Sequence, residues 1–277
     1  MKTTRKLLLS MTAALFAAVP SAASFAVSQG QSTDVRPVDG KVAPVPFGPG
    51  ERGSYKVTFG GIGVGKGVVE VAGVDTIRGI PAYHFVLKIN GGIPFAHVND
   101  VQESWMDVSR LTSLRFHQNL SQVKYKRDLT FDMFPTESIW KSVNHRADPE
   151  DRNKSGPLAS NVPLDDISFM YWVRTIPLEV GKTYTFNRYF KAEGNPVVVK
   201  VLRRESVKVP AGTYNTIVLK PIIKTKGLFS EGGEAELYFS DDSRRMLVML
   251  TSKLSIGSLK LYLEKYTPGE PLNGNSF

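Results

Sequence analysis

The alternation of apolar and polar residues along the last third of the chain constrains its fold more than any other feature. In residues 259–264, leucine occupies every second position, and lysine, tyrosine and glutamate fill the others. Two longer runs, 197–209 and 214–225, are rich in β-branched residues, and Pro210 and Gly212 lie between them, as a tight turn requires. A period of two places alternate side chains on one dry face. The pattern predicts antiparallel strands joined by hairpins.

Similar runs occupy the middle of the chain. Tyr83 and Phe85 share one predicted strand face, Phe116 and Trp105 lie on two further runs, and residues 125–131 alternate almost without exception. We therefore predict an all-β fold in one domain: a strongly curved antiparallel sheet or partly open β-barrel, with one short buried helix. The number of strands is expected to be about ten to thirteen. A two-sheet β-sandwich is the alternative.

The buried helix is predicted at residues 164–174. Two aspartates near its start suit the positive end of the helix dipole, and Arg174 suits the negative end. Met170 and Trp172 belong to a stretch that is apolar nearly all round, and such a helix is buried on most sides. We expect the helix to fill one end of the sheet or its concave face, where it could act as a lid.

The N-terminus has the pattern of a secretory signal peptide. Lys2, Arg5 and Lys6 precede an apolar run at residues 7–19, and small residues follow as far as Ala26. Cleavage after residue 23 or 26 is expected, and the apolar run is too short for a membrane anchor. The predicted organisation is a signal peptide at 1–26, a flexible lead-in at 27–49, a single all-β domain at 50–266 and a C-terminal tail at 267–277.

Composition limits the compartment and the partners. The chain has no cysteine, so neither a disulfide nor the lipid anchor of a bacterial lipoprotein is expected. No later stretch is apolar enough to span a bilayer, which predicts a soluble periplasmic protein of a Gram-negative bacterium. The formal net charge is +9, and it is +6 without the predicted signal peptide, which carries three basic residues and no acidic one. This surplus is spread through the strands, and the distribution argues against nucleic-acid binding. Attraction to anionic envelope polymers or lipid headgroups stays open.

A glycine-rich stretch at residues 60–67 resembles a phosphate-binding loop only superficially. Gly67 stands where the pattern requires serine or threonine, and a strand follows in place of a helix. We interpret Gly61, Gly63 and Gly65 as one bare face of a bent strand or hairpin, against which a bulky group could lie. The protein's own aromatic residues are the first candidates for that group, and a ligand is the second.

The search for reactive groups gives no catalytic constellation. The four histidines, at positions 84, 97, 117 and 145, form no paired metal motif, and His84 and His117 are expected to be solvated on polar strand faces. The carboxylate pairs at 165–166 and 241–242 are explained by a helix start and a turn. We therefore predict no catalytic residue, no metal and no cofactor, and hence no enzyme.

Five stretches together resemble the bacterial exported family known as domain of unknown function (DUF) 3108. They are Pro49-Gly50-Glu51-Arg52, Glu103-Ser104-Trp105, the run from Asp166-Ile167-Ser168 to Tyr171 and Arg174, Val209-Pro210-Ala211-Gly212-Thr213-Tyr214, and Ser240-Asp241-Asp242-Ser243-Arg244-Arg245. The resemblance extends from about residue 47 to residue 266. It implies a periplasmic or envelope protein with a curved antiparallel sheet, and it implies no activity.

Two functional hypotheses follow. The first is a non-catalytic binding or carrier protein whose concave face takes a lipid-like or polymeric envelope component. Its cavity or lid candidates are Gly61, Gly63, Gly65, Tyr83, Phe85, Trp105, Phe116, Met170 and Trp172. The second is an envelope assembly or scaffold protein that has a solid core and contacts another envelope protein. An unrecognised hydrolase is a more remote third. Whether the space between sheet and helix is open or packed decides between the first two.

Overall fold

The computed structural model describes residues 45–93, 96–122, 125–225, 229, 235–253 and 258–272. The predicted signal peptide and most of the lead-in lie outside these ranges. The strands and the helix are β1 (Arg52–Phe59), β2 (Ile62–Ile77), β3 (Ile80–Ile93), β4 (Ala96–Asp107), β5 (Ser113–Gln122), β6 (Tyr125–Phe134), β7 (Ile139–Asn144), β8 (Asn153–Pro157), α1 (Asp166–Trp172), β9 (Thr183–Phe186), β10 (Val197–Val209), β11 (Gly212–Ile222), β12 (Glu236–Ser240), β13 (Leu247–Lys253) and β14 (Ser258–Thr267).

All fourteen of these strands form one antiparallel sheet in the order β8-β7-β6-β5-β4-β3-β2-β1-β14-β13-β12-β11-β10-β9. Two meanders, β1–β8 and β9–β14, meet where β1 pairs with β14 in the middle of the sheet. Within the described ranges the sheet is not closed into a barrel, since β8 and β9 end the order. The predicted all-β fold with a curved sheet and one short helix is confirmed, and the two-sheet sandwich is wrong.

Tight turns set the register of the hairpins. Gly60 and Gly61 have φ angles of +56° and +87° between β1 and β2, and Arg78 and Gly79 have +50° and +81° between β2 and β3. Two successive positive φ angles give the turn whose twist matches that of paired strands. The glycines at 60–61 are therefore explained by a hairpin corner.

The helix forms as the sequence predicts. Asp165 caps it by accepting hydrogen bonds from the backbone N–H groups of Ile167 and Ser168, and the Ser168 hydroxyl lies within hydrogen-bonding distance of the Asp165 N–H in return. Every residue of α1 is buried, and the helix packs against β3 and β4. Among the described residues, no helix has the length and apolar character needed to cross a membrane.

The segment that contains the helix joins the two edges of the sheet. The chain leaves β8 at one edge and enters β9 at the other. Leu164 forms a parallel bridge with Tyr189, and the Ala159 N–H donates to the Phe190 carbonyl at 3.1 Å. The two edges are thus held near each other by this segment, which bends the sheet around α1.

Two predicted boundaries need correction. Val45 and Phe47, assigned to the flexible lead-in, are 8% and 1% exposed and belong to the hydrophobic core. The Phe47 ring packs edge-on at 5.2 Å from Tyr171, so burial of a large aromatic side chain fixes this segment. In the stretch 144–161, charged residues among asparagine, serine, glycine and proline interrupt the alternating pattern and predict one long exposed loop. The stretch nevertheless contains β8, which pairs with β7 and completes that edge of the sheet.

Candidate functional site

The interior candidates form a packed core. Tyr83, Phe85, Phe116, Met170 and Trp172 are all at most 3% exposed. They belong to a single cluster of buried residues that extends over both meanders of the sheet and the helix. The concave face of the sheet is therefore occupied by the protein's own side chains at these positions.

Aromatic contacts show how closely the helix meets the sheet. The ring of Phe85 on β3 stacks on Tyr171 of α1 with centroids 3.9 Å apart, and Phe47 packs edge-on to Phe85 at 5.7 Å. Trp172 contacts Phe186 edge-on at 4.8 Å. Such contacts are typical of a protein core.

The glycine candidates lie in the β1–β2 hairpin and at close strand contacts. Gly61 occupies the turn, and Gly63 is exposed near the Lys56 side chain. A Cβ on Gly65 would lie 2.2 Å from the Asn90 carbonyl oxygen of β3. The group that approaches Gly65 is thus the backbone of the neighbouring strand. This close contact explains the glycine at position 65 without the aromatic residue or the ligand considered from the sequence.

Trp105 lies on the opposite, convex face of the sheet. Its ring stacks on the His84 imidazole with centroids 4.5 Å apart, and its Nε1–H donates to Asp75 Oδ2 at 2.7 Å. The structure therefore does not bring Trp105 together with the other aromatic candidates. It joins a group of ionisable residues that sequence reasoning did not recognise.

This group, the outer histidine network, consists of Asp75, His84, Glu103, His117 and Asp128. His84 Nδ1 lies 3.2 Å from Asp75, and His84 Nε2 lies 3.0 Å from Glu103 Oε1. Glu103 Oε2 lies 3.2 Å from His117 Nδ1, and His117 Nε2 lies 3.0 Å from Asp128. Carboxylates and imidazoles thus alternate across five neighbouring strands, β2 to β6.

The network was missed because its members are far apart in sequence. His84 and His117 were correctly placed on polar strand faces, but they were expected to be solvated, whereas their side chains are only 19% and 24% exposed. They meet because Glu103 on β4 lies directly opposite His117 on β5, and His84 on β3 is two residues from Val86, the residue opposite Glu103. Cross-strand register, and not local pattern, creates this arrangement.

The hydrogen bonds of the network favour the ionised form of Glu103 and the protonated form of His117. Hydrogen bonds from His117 and His84 lower the pKa of Glu103 to about 2, although partial burial opposes them. The hydrogen bond with Glu103 raises the pKa of His117 above its ordinary value, against the effect of desolvation. Both ring nitrogens of each histidine face a carboxylate, so neither nitrogen is free for a substrate or a metal. Among the described residues, no group of three or more metal-ligating side chains is arranged to hold an ion.

We expect the network to stabilise the fold most at mildly acidic pH. The His117 contribution is complete below the pKa of an unfolded histidine, about 6.5, and is lost as the pH rises through the higher folded value. The Glu103 contribution is present above 4.5 and is lost as the pH falls towards 2. Urea unfolding of Glu103→Gln should therefore show a larger loss, by about 1 kcal/mol, at pH 5.5 than at pH 8.

The control for this measurement is Asp132→Asn. Asp132 lies on the same face but pairs with Arg78 and Arg115, and the arginine side chain is always charged in proteins. The Asp132→Asn variant should lose the same free energy of unfolding at pH 5.5 and at pH 8. An equal loss for Glu103→Gln at pH 5.5 and pH 8 would contradict the assignment.

A buried ion pair connects the start of the sheet to the end of the helical segment. Arg174 donates to both oxygens of Glu51, from Nη1 at 2.6 Å and from Nη2 at 3.0 Å. Arg174 Nη2 also donates to the carbonyls of Pro46 and Arg244 at 3.0 and 2.8 Å, and Arg245 donates to the Arg174 carbonyl at 2.9 Å. Burial opposes the charge, but attraction to Glu51 raises the pKa of Arg174. The pair is a structural clamp.

A small cavity of about 10 Å³ lies beside this clamp and is bordered by Tyr55, Tyr171, Arg174 and Tyr266. This volume is close to the minimum that one water molecule needs. The Tyr171 hydroxyl and Arg174 Nε have no partner in the described part of the chain. The cavity has both polar and apolar residues in its wall and is far too small for a lipid.

The helix start forms a second buried polar group. Asp165 is fully buried and accepts from the Ser104 hydroxyl at 2.7 Å, and Ser113 Oγ lies 2.6 Å from Ser168 Oγ. Burial raises the pKa of Asp165, and burial with the Asp165 charge raises the pKa of Asp166 to about 7. These contacts fix α1 on β4 and β5, so the carboxylate pair is explained by helix capping, as predicted.

The motifs that carry the family resemblance converge on these two buried groups. Glu51, Arg174 and Arg244 come from three of the five stretches and meet in the clamp. Ser104 belongs to the Glu103-Ser104-Trp105 stretch, and its hydroxyl donates to Asp165. Asp165 directly precedes the stretch that begins at Asp166. The shared stretches therefore account for how the helix is held inside the sheet, and they do not form a pocket with reactive groups.

A single curved antiparallel sheet that encloses a short helix defines a β-barrel-like class of protein. A solved structure described as a beta-barrel-like protein of domain of unknown function DUF1849 from Brucella abortus matches with a TM-score of 0.53 and 10% identity, over 82% of this chain and 100% of that one. At this identity the likeness supports the fold alone. Two further structures have TM-scores of 0.29. One, from Bacteroides fragilis, is described as an exported protein with a YmcC-like fold and is 12% identical over 81% of this chain and 100% of that one. The other, from Parabacteroides distasonis, is described as a lipoprotein and is 11% identical over 81% of this chain and 99% of that one.

Within this class the chain belongs to the family "Protein of unknown function (DUF3108)", whose model matches residues 54–264. The resemblance drawn from the five stretches is therefore confirmed. No curated protein matches the chain. The family description names no activity, so function has to be argued from the geometry.

Proposed function

We propose that this protein is an exported, non-catalytic cell-envelope protein that acts by contacting another envelope protein through its outer surface. The observation that carries the proposal is the filled interior. All seven residues of α1 are buried inside the curved sheet, and the aromatic side chains that could have lined a cavity are part of the core. This favours the assembly or scaffold hypothesis over the carrier hypothesis.

The absence of catalysis is part of the proposal. In the outer histidine network each imidazole nitrogen is already matched to a carboxylate, and a general base needs a free nitrogen within reach of its substrate. Asp165 caps the helix, and Asp166 is buried in its first turn. These groups are better explained as structural links between strands and helix.

Export rests on the N-terminal pattern of basic, apolar and small residues in the sequence. A protein without cysteine, delivered to an oxidising compartment, has to be held together by burial and by non-covalent clamps such as Glu51–Arg174. The extensive core is consistent with this requirement.

We expect native mass spectrometry of the protein purified gently from the periplasm to give the mass of the processed chain alone. Because the interior is packed, no lipid adduct should survive at low collision energy. A known periplasmic lipid carrier, purified in parallel, controls for the loss of bound lipid. A stoichiometric lipid adduct would favour the carrier hypothesis and overturn the packed-interior argument.

The protein contact is tested by site-specific photo-crosslinking in intact cells. A photoreactive residue placed at the exposed positions Ile62 or Lys141 should give discrete adducts with an envelope protein. Failure of these and a wider set of exposed positions to give any protein adduct would contradict the scaffold proposal. This readout is independent of the mass measurement.

A further inference from the structure

The convex face of the sheet carries a row of polar side chains that the proposed function does not use. Successive cross-strand partners run Tyr238, Met249, Tyr262, Lys56, Lys66, Asn90 and Asn99, from β12 through β13, β14, β1, β2 and β3 to β4. Directly opposed residues of antiparallel strands share a face. The neighbouring row of Leu237, Leu250, Leu261 and Val57 faces the core, so this row lies on the other face. Its β12–β13 end, Tyr238 and Met249, is covered at 6% and 8% exposure, and its β1–β4 part is exposed.

The row crosses seven strands and is therefore long. At a spacing of about 4.8 Å between strands, it extends over roughly 29 Å. Lys56, Lys66, Asn90 and Asn99 are exposed, and Asn90 donates to Asn99 at 3.3 Å. A surface of this length, perpendicular to the strands, suits an extended chain more than a small molecule.

An open groove of about 500 Å³ continues the row at its β11–β14 end. Its lining includes Lys220, Lys260, Glu236, Tyr238, Thr251 and Ser258. Glu236, the acidic member, is held by Arg203 at 3.2 and 3.0 Å and accepts from the Tyr238 hydroxyl at 2.6 Å. Its charge is thus matched within the protein, and the two lysines face the groove together with hydroxyl groups.

Three lysines of this surface, Lys56, Lys66 and Lys260, have no carboxylate paired with them in the part of the chain that the structure describes, whereas the charge of Lys220 acts on Glu236. Lys56 and Lys66 are direct cross-strand partners, an arrangement of like charges that destabilises a sheet. Among the described residues, neither they nor Lys260 forms an ion pair. An anionic partner would relieve this repulsion and would be attracted by the basic net charge of the chain.

We propose that this outer row and groove bind an acidic polysaccharide. Ammonium groups recognise its carboxylates or other acidic groups, and amides and hydroxyls exchange hydrogen bonds with its hydroxyls. The half-buried Tyr262 lies beside Lys56 in the row. A membrane surface fits less well, because interfacial binding requires apolar side chains that insert. The most exposed apolar residue, Ile62 at 68%, lies at the β1–β2 hairpin and not in the groove. Polysaccharide binding would add a second partner class to the protein contact proposed above.

Isothermal titration calorimetry with polygalacturonate at low salt tests the proposal on the processed full chain. Wild-type protein should bind, affinity should fall as salt rises, and uncharged dextran should not bind. The double variants K56T/K66T and K220T/K260T should each weaken binding about tenfold. The matched control K182T/K208T removes the same charge from exposed lysines elsewhere and should change the affinity less than twofold.

Three results would overturn the proposal. One is no binding of polygalacturonate by the folded wild-type protein. Another is an equal loss of affinity in K56T/K66T, in K220T/K260T and in the control K182T/K208T, because such a result would show that only the net charge matters. The third is binding to mixed phosphatidylglycerol and phosphatidylcholine vesicles without binding to polygalacturonate, which would assign the surface to lipid headgroups. Circular dichroism of each variant establishes that it is folded.

Discussion

Replacement of Glu51 by alanine should lower the free energy of unfolding by about 3–5 kcal/mol, because it leaves the Arg174 guanidinium buried without its counter-charge. The side chains of the pair are only 7% and 3% exposed, and a charge removed from water needs a partner at hydrogen-bonding distance. Arg174 also holds the Pro46 and Arg244 carbonyls, so its displacement would release the chain on both sides of the clamp. Urea denaturation followed by circular dichroism measures the loss.

Two variants make this result specific to the buried pair. Arg52→Ala removes a neighbouring charge that is 48% exposed and pairs with Glu70, and exposed pairs contribute at most about 1 kcal/mol. The double variant Glu51→Leu with Arg174→Met removes both charges and should be less destabilised than Glu51→Ala. A Glu51→Ala protein as stable as Arg52→Ala would show that the clamp does not hold the fold.

The periodic parts of this fold were predictable, and the partners of each strand were not. Alternation placed most strands and the buried helix correctly, because side-chain period is a local property of the chain. It could not show that β14 pairs with β1 or that Glu51 meets Arg174, which are 123 residues apart. Long-range pairing depends on register and on closure of the whole sheet.

The same limit explains the candidate site. His84 and His117 were placed on polar strand faces, and Glu103 was noted only in the Glu103-Ser104-Trp105 stretch, yet only the pairing of β3, β4 and β5 brings the three within hydrogen-bonding distance. The lead-in was misjudged for a related reason: its composition is that of a flexible segment, but Phe47 packs into an aromatic pocket supplied by residues of β3 and α1. Tertiary burial overrides local composition there.

Phe85→Ala should be as costly as loss of the clamp, at about 3–5 kcal/mol, because it removes a fully buried ring from the contact between sheet and helix. The Phe85 ring stacks on Tyr171 and meets Phe47 and Tyr83, so three aromatic neighbours lose their partner at once. Phe85→Leu keeps part of the volume and should cost less, while Tyr125→Ala, at a residue that is 50% exposed, should change stability by no more than about 0.5 kcal/mol.

The size of the Phe85 effect also decides between the two functional hypotheses. In a packed interior the deleted ring leaves a dry cavity, and the variant should regain stability in the presence of benzene, which fills such cavities. In a carrier, Phe85 would line a space built to accept ligands, and its truncation would enlarge that space with little loss of stability. A cost below about 1 kcal/mol for Phe85→Ala, with no response to benzene, would therefore refute the filled interior on which the scaffold proposal rests.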